Sequence, residues 1–470
     1  MPASALAPAW LSYPTDANAL REPLWAAGVA RNDDGEVAVQ GIPVSELARE
    51  FGTPLFVLDE DDFRARARAF RDAYDEAFAD LGGGVDVYYA GKAFLSVEVA
   101  RWVTEEGLRL DTSSGGELAV ARRAGVPAAN LGLHGNNKSV AEIEAALTMG
   151  LGRIIVDSLD ELERLGAIAE RLDVTGRVML RLTPGVHAST HEYIATAHED
   201  QKFGLSMVDD GGGAPAERAV AAALAHPHLE LLGIHAHIGS QIFDAAGFAV
   251  AAQKMLGFLA RVRDEHGVEL PELDLGGGYG IAYTEQDTPR PPAELAAAMA
   301  GVVRETLAEH GLAAPRLSIE PGRAIVGPAA FTLYEAGVRK TVQVDHADGT
   351  LPRRYVSVDG GMSDNARPVL YDADYTAVLA SRVTDSDAIV SRVVGKHCES
   401  GDIVVRDVYL PEDVAAGDLL AVPATGAYCW ALASNYNYLG RPAVVAVRDG
   451  RARVIIRRET EDDLLARDMG

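Results

Sequence analysis

The sequence predicts a protein of the α/β plus β class, in which an N-terminal (β/α)8 barrel of the TIM type is followed by a mostly antiparallel β domain. Three features carry this prediction. Between about residues 80 and 325, short runs rich in Val, Ile and Leu alternate with Ala-rich stretches of helical period. Polar or glycine-rich residues follow most of these runs. After about residue 326 the chain shows strands and turns with little helix.

Eight apolar runs are the predicted barrel strands. In chain order they are VDVYYA from Val85, LRLDT from Leu108, NLGLHG from Asn130, RIIVDS from Arg153, VMLRLTPG from Val178, LLGIHAHIG from Leu231, ELDLGGGYG from Glu272 and RLSIEPGR from Arg316. The stretches between them, such as SVAEIEAALTMG, begin at a residue that can cap a helix or have the apolar spacing of a surface helix. Runs that are apolar throughout indicate strands buried on both faces, as in a parallel sheet covered by helices.

The same alternation also fits an open, doubly wound sheet, and the residues that end the runs favour the barrel. Polar, unusual or glycine-rich residues gather at or just past the predicted carboxyl ends: Lys92, Asp111, His134, Arg181, His237, Gly276 to Gly278, and Glu320. Barrel enzymes build their active sites at that end of the strands. The pattern therefore indicates an enzyme.

The chain divides by pattern into three parts. Residues 1–50 hold short strand candidates that we expect to join the β domain, and residues 51–325 form the predicted barrel. Residues 326–470 form the predicted C-terminal β domain, with strand runs FTLYEAGVRKTVQV, RRYVSVDGG, AIVSRVVG, DIVVRDVYL and DLLAVPA. The pair VVAVRDGRARVIIRR turns on Asp449-Gly450, which is a strong hairpin signal.

Composition narrows the class of protein. With 69 acidic against 43 basic side chains the formal charge is −26, which repels nucleic acid and anionic membranes, so small molecules or a second copy are the expected partners. No stretch is long and apolar enough to span a bilayer, and the start has no basic region before its apolar residues. The two cysteines, Cys398 and Cys429, match no disulfide framework or metal-ligand spacing. We expect a cytoplasmic protein without a bound metal.

Lys92 lies beside Gly91, just past the first barrel strand. An ammonium at the end of a buried strand costs solvation unless a nearby group uses it. One interpretation is a lysine that snorkels to the barrel rim. The other is a catalytic lysine, whose amine loses its proton near apolar and aromatic neighbours such as Tyr88, Tyr89 and Phe94 and attacks a carbonyl.

Two neighbouring strand ends carry glycines. ELDLGGGYGI places Gly276, Gly277 and Gly278 after the seventh strand, and EPGR places Gly322 beside Arg323 after the eighth. A glycine run alone can be a tight turn. Glycine also lets backbone N–H groups approach a phosphate, and barrels often hold phosphate with the loops after strands seven and eight. Together the two loops indicate a phosphate site.

Glu320 ends the eighth strand, where a buried carboxylate needs a partner. It can pair with Arg323. Alternatively it can face a ring nitrogen, where its charge keeps that nitrogen protonated and makes the ring a better electron sink. A lysine, two phosphate loops and a buried carboxylate together indicate pyridoxal 5'-phosphate as the cofactor.

Nine motifs resemble, in order, those of the diaminopimelate decarboxylase family: YYAGKAF, LDTSSGGEL, HEYIATAHEDQKFGLS, HAHIGSQI, LDLGGGYG, EPGRAIV, DGGMSDNARPVLY, KHCESGD and GAYCWALASNYN. The similarity runs from about Gly41 to Arg458. It implies an alanine-racemase-like, fold-type III barrel that binds pyridoxal phosphate, followed by a β domain. It also implies decarboxylation of meso-2,6-diaminopimelate at its D-centre to L-lysine and carbon dioxide, the last step of lysine biosynthesis.

The resemblance also assigns residues. Lys92 forms the Schiff base, His237 stacks on the cofactor ring, and Glu320 faces the ring nitrogen. The implied cofactor contacts are Lys92, Asp111, His237, Ser240, Gly277, Gly278, Glu320, Gly322, Arg323 and Tyr428. Cys398 is the implied proton donor, and Glu399 and Tyr428 contact substrate. Taken alone, His237 could instead be a core histidine and Cys398 an inert small hydrophobe.

Charge suggests how the substrate is chosen. Meso-diaminopimelate has an ammonium and a carboxylate at its distal centre. Arg367 and Tyr371 of ARPVLY, together with Arg323, can bind the carboxylate, and Glu399 can meet the ammonium. Without a distal carboxylate Arg367 would be a buried cation with no partner. The alternative role of Arg367 is a salt bridge at the protein surface.

The resemblance implies a homodimer in which Cys398 and Glu399 complete the active site of the other subunit. Two other functions stay open. The substrate could be another basic amino acid or a carboxylated polyamine. The protein could also be a non-catalytic, cofactor-binding regulatory relative, although intact Lys92, Cys398 and Glu320 argue against that class.

Overall fold

The computed structural model describes residues 4–185, 202–347 and 349–470. The chain forms two compact units. The β unit comprises Met1–Ala65, Ile281–Thr288 and Arg323–Gly470, and the barrel unit comprises Arg66–Gly280 and Pro289–Gly322. None of the helices in the described ranges is both long and apolar enough to cross a bilayer.

The N-terminal part of the β unit holds a small sheet and the first strand of a larger one. Its elements are β1 (Val29–Arg31), β2 (Val37–Val39), β3 (Ile42–Pro43), α1 (Val44–Phe51) and β4 (Leu55–Asp59). Strands β1, β2 and β3 pair antiparallel in that order. All five residues of β4 are buried, and β2 and β4 contribute to the same apolar cluster. Burial of this apolar surface is what stabilises the arrangement.

Eight parallel strands close the barrel, which confirms the predicted architecture and excludes the open sheet. After α2 (Glu60–Ala77) these strands are β5 (Val85–Ala90), β6 (Arg109–Thr112), β7 (Leu131–Leu133), β8 (Arg153–Val156), β9 (Gly176–Thr183), β11 (Leu229–Ala236), β12 (Glu272–Asp274) and β13 (Arg316–Ile319). They pair in the order β9-β11-β12-β13-β5-β6-β7-β8, and β8 returns to β9. A short additional strand, β10 (Leu205–Ser206), pairs parallel with β9.

The helices of the barrel unit begin and end where the sequence supplies caps. They are α3 (Val97–Glu105), α4 (Gly115–Ala124), α5 (Val140–Met149), α6 (Leu159–Leu172), α7 (Pro215–Ala225), α8 (Ala246–His266) and α9 (Pro292–His310). Serine side chains accept a backbone N–H at the starts of α3, α4, α5 and α6. Left-handed glycines end α4, α5, α8 and α9.

The C-terminal part of the β unit is mostly antiparallel, as predicted. Its elements are α10 (Arg323–Val326), β14 (Ala330–His346), β15 (Gly349–Val358), α11 (Arg367–Tyr371), β16 (Val378–Leu379), β17 (Ala388–Val394), β18 (Ile403–Pro411), β19 (Leu419–Pro423), β20 (Ala443–Arg448), β21 (Arg451–Ile456) and α12 (Glu461–Leu465). The main sheet has the order β18-β17-β15-β14-β4-β20-β21, with only β15–β17 and β4–β20 parallel. At the predicted hairpin turn, Asp449 and Gly450 have φ of 51° and 65°.

Three stretches inside the predicted barrel range of 51–325 cluster with the β unit: residues 51–65, Ile281–Thr288 and residues 323–325. Strand β4, in the first of them, pairs with β14 and β20. A central strand of any sheet is buried on both faces, so the LFVLD run of β4 is as apolar as a barrel strand. Composition alone therefore could not assign it to the second sheet.

Candidate functional site

A cavity of about 280 Å³ in the barrel unit lies at the carboxyl ends of the strands. Its lining includes six of the side chains that the sequence places at strand ends: Lys92, Asp111, His134, Arg181, His237 and Glu320. These residues come from six different strand-to-helix connections or strand ends, and the closed barrel brings them together. The cavity is the candidate active site.

Lys92 follows β5 on a short 3-10 turn, Gly91–Ala93. Its side chain is exposed and borders the cavity. Burial, followed by the charges of Lys92 and Arg181, lowers the pKa of His237 well below its usual value. The His237 imidazole is therefore neutral, which suits a ring that packs against a cationic heterocycle. Its Nδ1 accepts a hydrogen bond from the Gly277 N–H at 3.4 Å.

Glu320 is 6% exposed and presents an oxygen without a hydrogen bond. Its Oε1 lies 3.1 Å from His235 Nε2 and 3.3 Å from His134 Nε2, yet none of these three atoms makes a well-oriented hydrogen bond within the described part of the chain. Burial and the nearby Asp274 charge raise the pKa of Glu320. Burial also lowers the pKa of His235 to about 3. Buried polar atoms without partners are rare and suggest a missing ligand.

A buried guanidinium neutralises the carboxylates beside Glu320. Arg153 of β8 is 1% exposed, and its Nη2 lies 2.6 Å from Asp274 Oδ2 and 3.3 Å from Asp111 Oδ1. Its Cζ lies 3.4 Å from the centroid of the Tyr88 ring. Burial alone would raise the pKa of Asp111, but Arg153 and His134 outweigh that effect and hold it below its usual range. Asp111 and Asp274 are therefore ionised.

The glycine loops have little room for side chains. A Cβ on Gly277 would lie 2.3 Å from the Glu320 carbonyl oxygen, and one on Gly278, where φ is +115°, would lie 2.5 Å from the Gly239 carbonyl oxygen. The Ile242 N–H donates to the Gly278 carbonyl at 2.9 Å, which joins this loop to the loop that carries Ser240. One of the two loops predicted to bind phosphate is therefore joined to the loop that carries Ser240, an implied cofactor contact.

These observations fit pyridoxal phosphate. The unpaired Glu320 oxygen suits a pyridine nitrogen, and the adjoining glycine and serine loops suit a phosphate. His134, His235 and Glu320 also bring three potential metal-ligand atoms within 4.8 Å of one another. A metal ion bound there would compete with the cofactor for the Glu320 oxygen.

The β unit contains a separate cluster of arginines and tyrosines. Arg367 of α11 is 7% exposed, and its Nη1 donates to the Tyr375 hydroxyl at 2.5 Å. Its Cζ lies 4.3 Å from the centroid of the Tyr283 ring, and Arg323 Nη1 donates to the Tyr283 hydroxyl at 2.5 Å. Arg367 forms no ion pair with any residue of the described ranges. The alternative of a surface salt bridge is therefore not met within the described ranges. The positive charge of Arg367 is instead buried against aromatic rings. Tyr428, with φ of 61°, places its ring 4.7 Å from Arg323 Cζ.

A rigid loop carries Cys398 and Glu399. Asp402 Oδ2 accepts from the His397 N–H at 2.8 Å and lies 3.0 Å from His397 Nδ1. The Cys398 N–H donates to Asn437 Oδ1 at 3.2 Å, while the cysteine itself is exposed. Glu399 is exposed as well, and Tyr371 is 64% exposed.

The predicted site residues therefore fall into three groups. Lys92, Asp111, His237 and Glu320 share the cavity; Ser240, Gly277, Gly278 and Gly322 lie in the loops of the barrel unit; and Arg323, Arg367, Tyr371, Cys398, Glu399 and Tyr428 belong to the β unit. All of the stretch HEYIATAHEDQ, residues 191–201, lies outside the described residues.

Sequence reasoning missed Arg153, His235 and Asp274 in the barrel unit and Tyr283 and Tyr375 in the β unit. A signal existed for the first three, since Arg153 in RIIV, His235 in GIHA and Asp274 in ELDL are polar side chains at the start of, or within, runs predicted to be buried strands. The two tyrosines look like ordinary core aromatics.

Comparison with known proteins agrees with the geometry. Residues 60–327, more than half of the chain, match the family model "Pyridoxal-dependent decarboxylase, pyridoxal binding domain". The chain is 54% identical over 447 residues to the diaminopimelate decarboxylase of Mycobacterium tuberculosis strain H37Rv, covering 94% of this chain and 97% of that protein. It is 44% identical over 439 residues to the Bacillus subtilis strain 168 protein of the same name, covering 93% and 96%.

A solved structure extends the agreement to the fold. The crystal structure of diaminopimelate decarboxylase from M. jannaschii in co-complex with L-lysine superposes with a TM-score of 0.86 at 31% identity, covering 95% of this chain and 98% of that one. The chain therefore belongs to the diaminopimelate decarboxylase family of pyridoxal-dependent decarboxylases.

Proposed function

We propose that the protein decarboxylates meso-2,6-diaminopimelate at its D-centre to L-lysine and carbon dioxide, with pyridoxal phosphate attached to Lys92. Membership of the family supports the reaction. One observation supports the choice of substrate: the Arg367 guanidinium is buried, and it has no anionic partner in the described ranges. A buried charge without a counter-ion is costly, and a substrate carboxylate would supply the missing charge.

The cofactor, when bound, supplies an electron sink for the pair of electrons left by loss of carbon dioxide. Lys92 Nζ would provide the amine that holds it, and the unpaired Glu320 Oε1 would face the ring nitrogen and keep it protonated. The neutral His237 imidazole would pack on the ring face. Asp111, ionised beside Arg153, would line the same cavity. The Ser240 hydroxyl and the backbone N–H groups of Gly278, Gly322 and Arg323 would bind the phosphate, and Gly277 would contribute through its N–H bond to His237.

The remaining site residues act on the substrate. Arg323, Arg367 and the Tyr371 hydroxyl bind the distal carboxylate, and Glu399 binds the distal ammonium. Tyr428 contacts both cofactor and substrate. Cys398 Sγ–H donates a proton to the substrate Cα after carbon dioxide leaves.

We also propose a homodimer in which Cys398 and Glu399 of one subunit complete the site of the other. Exposed apolar side chains flank the Cys398 loop and support an interface there. Val369 and Leu370 of α11 are exposed on one side and Tyr436 and Tyr438 on the other. The two cysteines are unpaired, which agrees with a reducing cytoplasm.

Release of carbon dioxide tests the proposal. The protein is loaded with pyridoxal phosphate and given meso-diaminopimelate, L,L-diaminopimelate, ornithine or arginine in separate reactions. We expect release from the meso isomer alone, and Arg367→Met should raise its KM. Turnover of ornithine at a comparable rate would overturn the proposed substrate and favour another basic amino acid.

Borohydride reduction followed by peptide mapping tests whether the protein binds pyridoxal phosphate covalently through Lys92. We expect a pyridoxyl group on Lys92 in the wild type and in the control variant Lys138→Ala, and none in Lys92→Ala. Stoichiometric cofactor on another residue, or release of carbon dioxide by Lys92→Ala at the wild-type rate, would contradict the proposal.

A further inference from the structure

Tyr283 lies between the two arginines of the β unit. It is 5% exposed, and its hydroxyl accepts a hydrogen bond from Arg323 Nη1 at 2.5 Å. The face of the same ring lies 4.3 Å from Arg367 Cζ. Tyr283 therefore holds the Arg323 guanidinium through its hydroxyl and the Arg367 guanidinium through the face of its ring.

Tyr283 is itself held in place. Its ring packs edge to face against Tyr375 with centroids 5.2 Å apart and an interplanar angle of 73°. The Tyr375 hydroxyl accepts from Arg367 Nη1 at 2.5 Å and lies 3.5 Å from Cys429 Sγ. Arg367, Tyr283 and Tyr375 thus form one packed set, so that Arg367 has little freedom to move alone.

The groups that hold Arg323 and Arg367 leave both positive charges available to an anionic ligand. A carboxylate beside Arg367 would neutralise it and would compete with any anionic ligand. A ring face and a hydroxyl orient a guanidinium without cancelling its charge, and a stacked guanidinium keeps N–H groups free along its edge. Burial raises the pKa of Tyr283, so the hydroxyl stays neutral.

We propose that Tyr283 is a positioning residue for substrate specificity, which sets the separation and tilt of Arg323 and Arg367 so that both contact one distal carboxylate. This inference rests on the proposed function, because it takes that carboxylate to be part of the substrate. Tyr283 acts through the arginines and does not itself touch the reacting atoms.

Two variants separate the contributions of the side chain. Tyr283→Phe keeps the ring beneath Arg367 and removes the hydroxyl that holds Arg323, whereas Tyr283→Leu removes both. Tyr409→Phe is the matched control, since Tyr409 is a buried tyrosine of the same unit whose hydroxyl accepts the Ser4 N–H at 3.0 Å and makes no other hydrogen bond with the described residues. All are compared as holoenzymes with equal cofactor content and with thermal melting curves.

The readout is discrimination between two inhibitors that differ only in the distal carboxylate. L-lysine, the product of the proposed reaction, keeps the distal centre of the substrate with its ammonium and its carboxylate, whereas cadaverine has the ammonium alone. For Tyr283→Phe we expect KM for meso-diaminopimelate and the inhibition constant of L-lysine to rise about tenfold. For Tyr283→Leu we expect about a hundredfold. The inhibition constant of cadaverine and kcat should stay within about threefold of wild type, as expected for a loss of binding alone.

The outcomes are distinguishable. Equal weakening of L-lysine and cadaverine, or no weakening of L-lysine by either variant, would overturn the role of Tyr283 while meso-diaminopimelate turnover by the wild type still stands. If the wild type releases no carbon dioxide from meso-diaminopimelate, the proposed function fails first, whatever the variants do.

Discussion

Arg153 is the residue on which the charge balance of the barrel depends. Its guanidinium contacts Asp274 and Asp111 and donates to Ser318 Oγ at 2.8 Å, all at buried positions. Two ionised carboxylates and Glu320 would otherwise lie in a medium of low dielectric constant, where like charges repel strongly. The cation thus allows a polar site to be built inside an apolar barrel.

Replacing Arg153 should therefore destabilise the protein in a pH-dependent way. Asp111 and Asp274 have lowered pKa values when folded, so their stabilising contribution is complete above about pH 4 and is lost as the pH falls through the folded values. In Arg153→Met both pKa values rise instead. We expect a loss of about 3 to 5 kcal/mol in the free energy of unfolding at pH 7. The loss should shrink towards pH 4.

Urea unfolding between pH 4 and 8 measures this difference. Arg177→Met is the matched control, because Arg177 also lies in a barrel strand but pairs with Glu230 in solvent, where a salt bridge contributes about 0 to 1 kcal/mol. A deficit for Arg153→Met that does not change with pH would contradict the electrostatic explanation and leave packing alone as its cause.

The two cysteines should react at very different rates. Cys398 is exposed, whereas Cys429 is buried, and burial raises the pKa of its thiol to about 11. Since the thiolate is the reactive form, a chromogenic disulfide reagent at pH 8 should modify one thiol in the native protein and two after denaturation. Cys398→Ala should abolish the fast reaction. Rapid modification of both native thiols would show that Cys429 is accessible.

At the scale of elements, the barrel could be predicted because each of its strands is buried on both faces and ends in a polar or glycine residue. Their position at the end of a predicted strand is enough to single out Lys92 and Glu320 in the sequence. Strand β4 and the segment Ile281–Thr288 could not be assigned, because the sequence does not encode which sheet a doubly buried strand joins. Tyr283 belongs to that segment, and its role depends on two arginines distant in sequence.

The turn that leads from β15 to α11 should contribute to the stability of the protein in a pH-dependent way. Asp364 Oδ1 accepts from the Gly361 N–H at 2.9 Å, and burial raises the pKa of Asp364 to about 7. The folded protein then holds a proton that the unfolded chain releases near the ordinary aspartate pKa of 3.8. Stability contributed by this group should fall as the pH rises from about 4 to 7.

Asp364→Asn tests that expectation, since asparagine keeps an oxygen acceptor for Gly361 and stays neutral. We expect the variant to gain about 1 to 3 kcal/mol over wild type at pH 8 and nothing at pH 4. The exposed Asp33→Asn serves as the control in the same unit. A variant that is less stable than wild type at pH 8 would indicate that the ionised carboxylate is the stabilising form.

At the scale of the whole molecule, the side chains needed for the proposed reaction are divided between the two compact units. The barrel unit supplies Lys92 and Glu320, and the β unit supplies Arg367 and Cys398. Under the proposed function, neither unit carries the complete set of residues. If the dimer proposal holds, the reaction requires two chains, because Cys398 then acts on substrate bound at the partner's lysine.

Mixing two inactive variants tests that requirement. Lys92→Ala and Cys398→Ala should each be nearly inactive as homodimers. After co-refolding at equal concentrations, half of the dimers should be mixed, and each mixed dimer has one site with both Lys92 and Cys398 intact. We therefore expect about a quarter of wild-type activity to return. A double variant mixed with wild-type chains controls for dilution, and mixtures that stay inactive although mixed dimers are detected would show that each site uses one chain only.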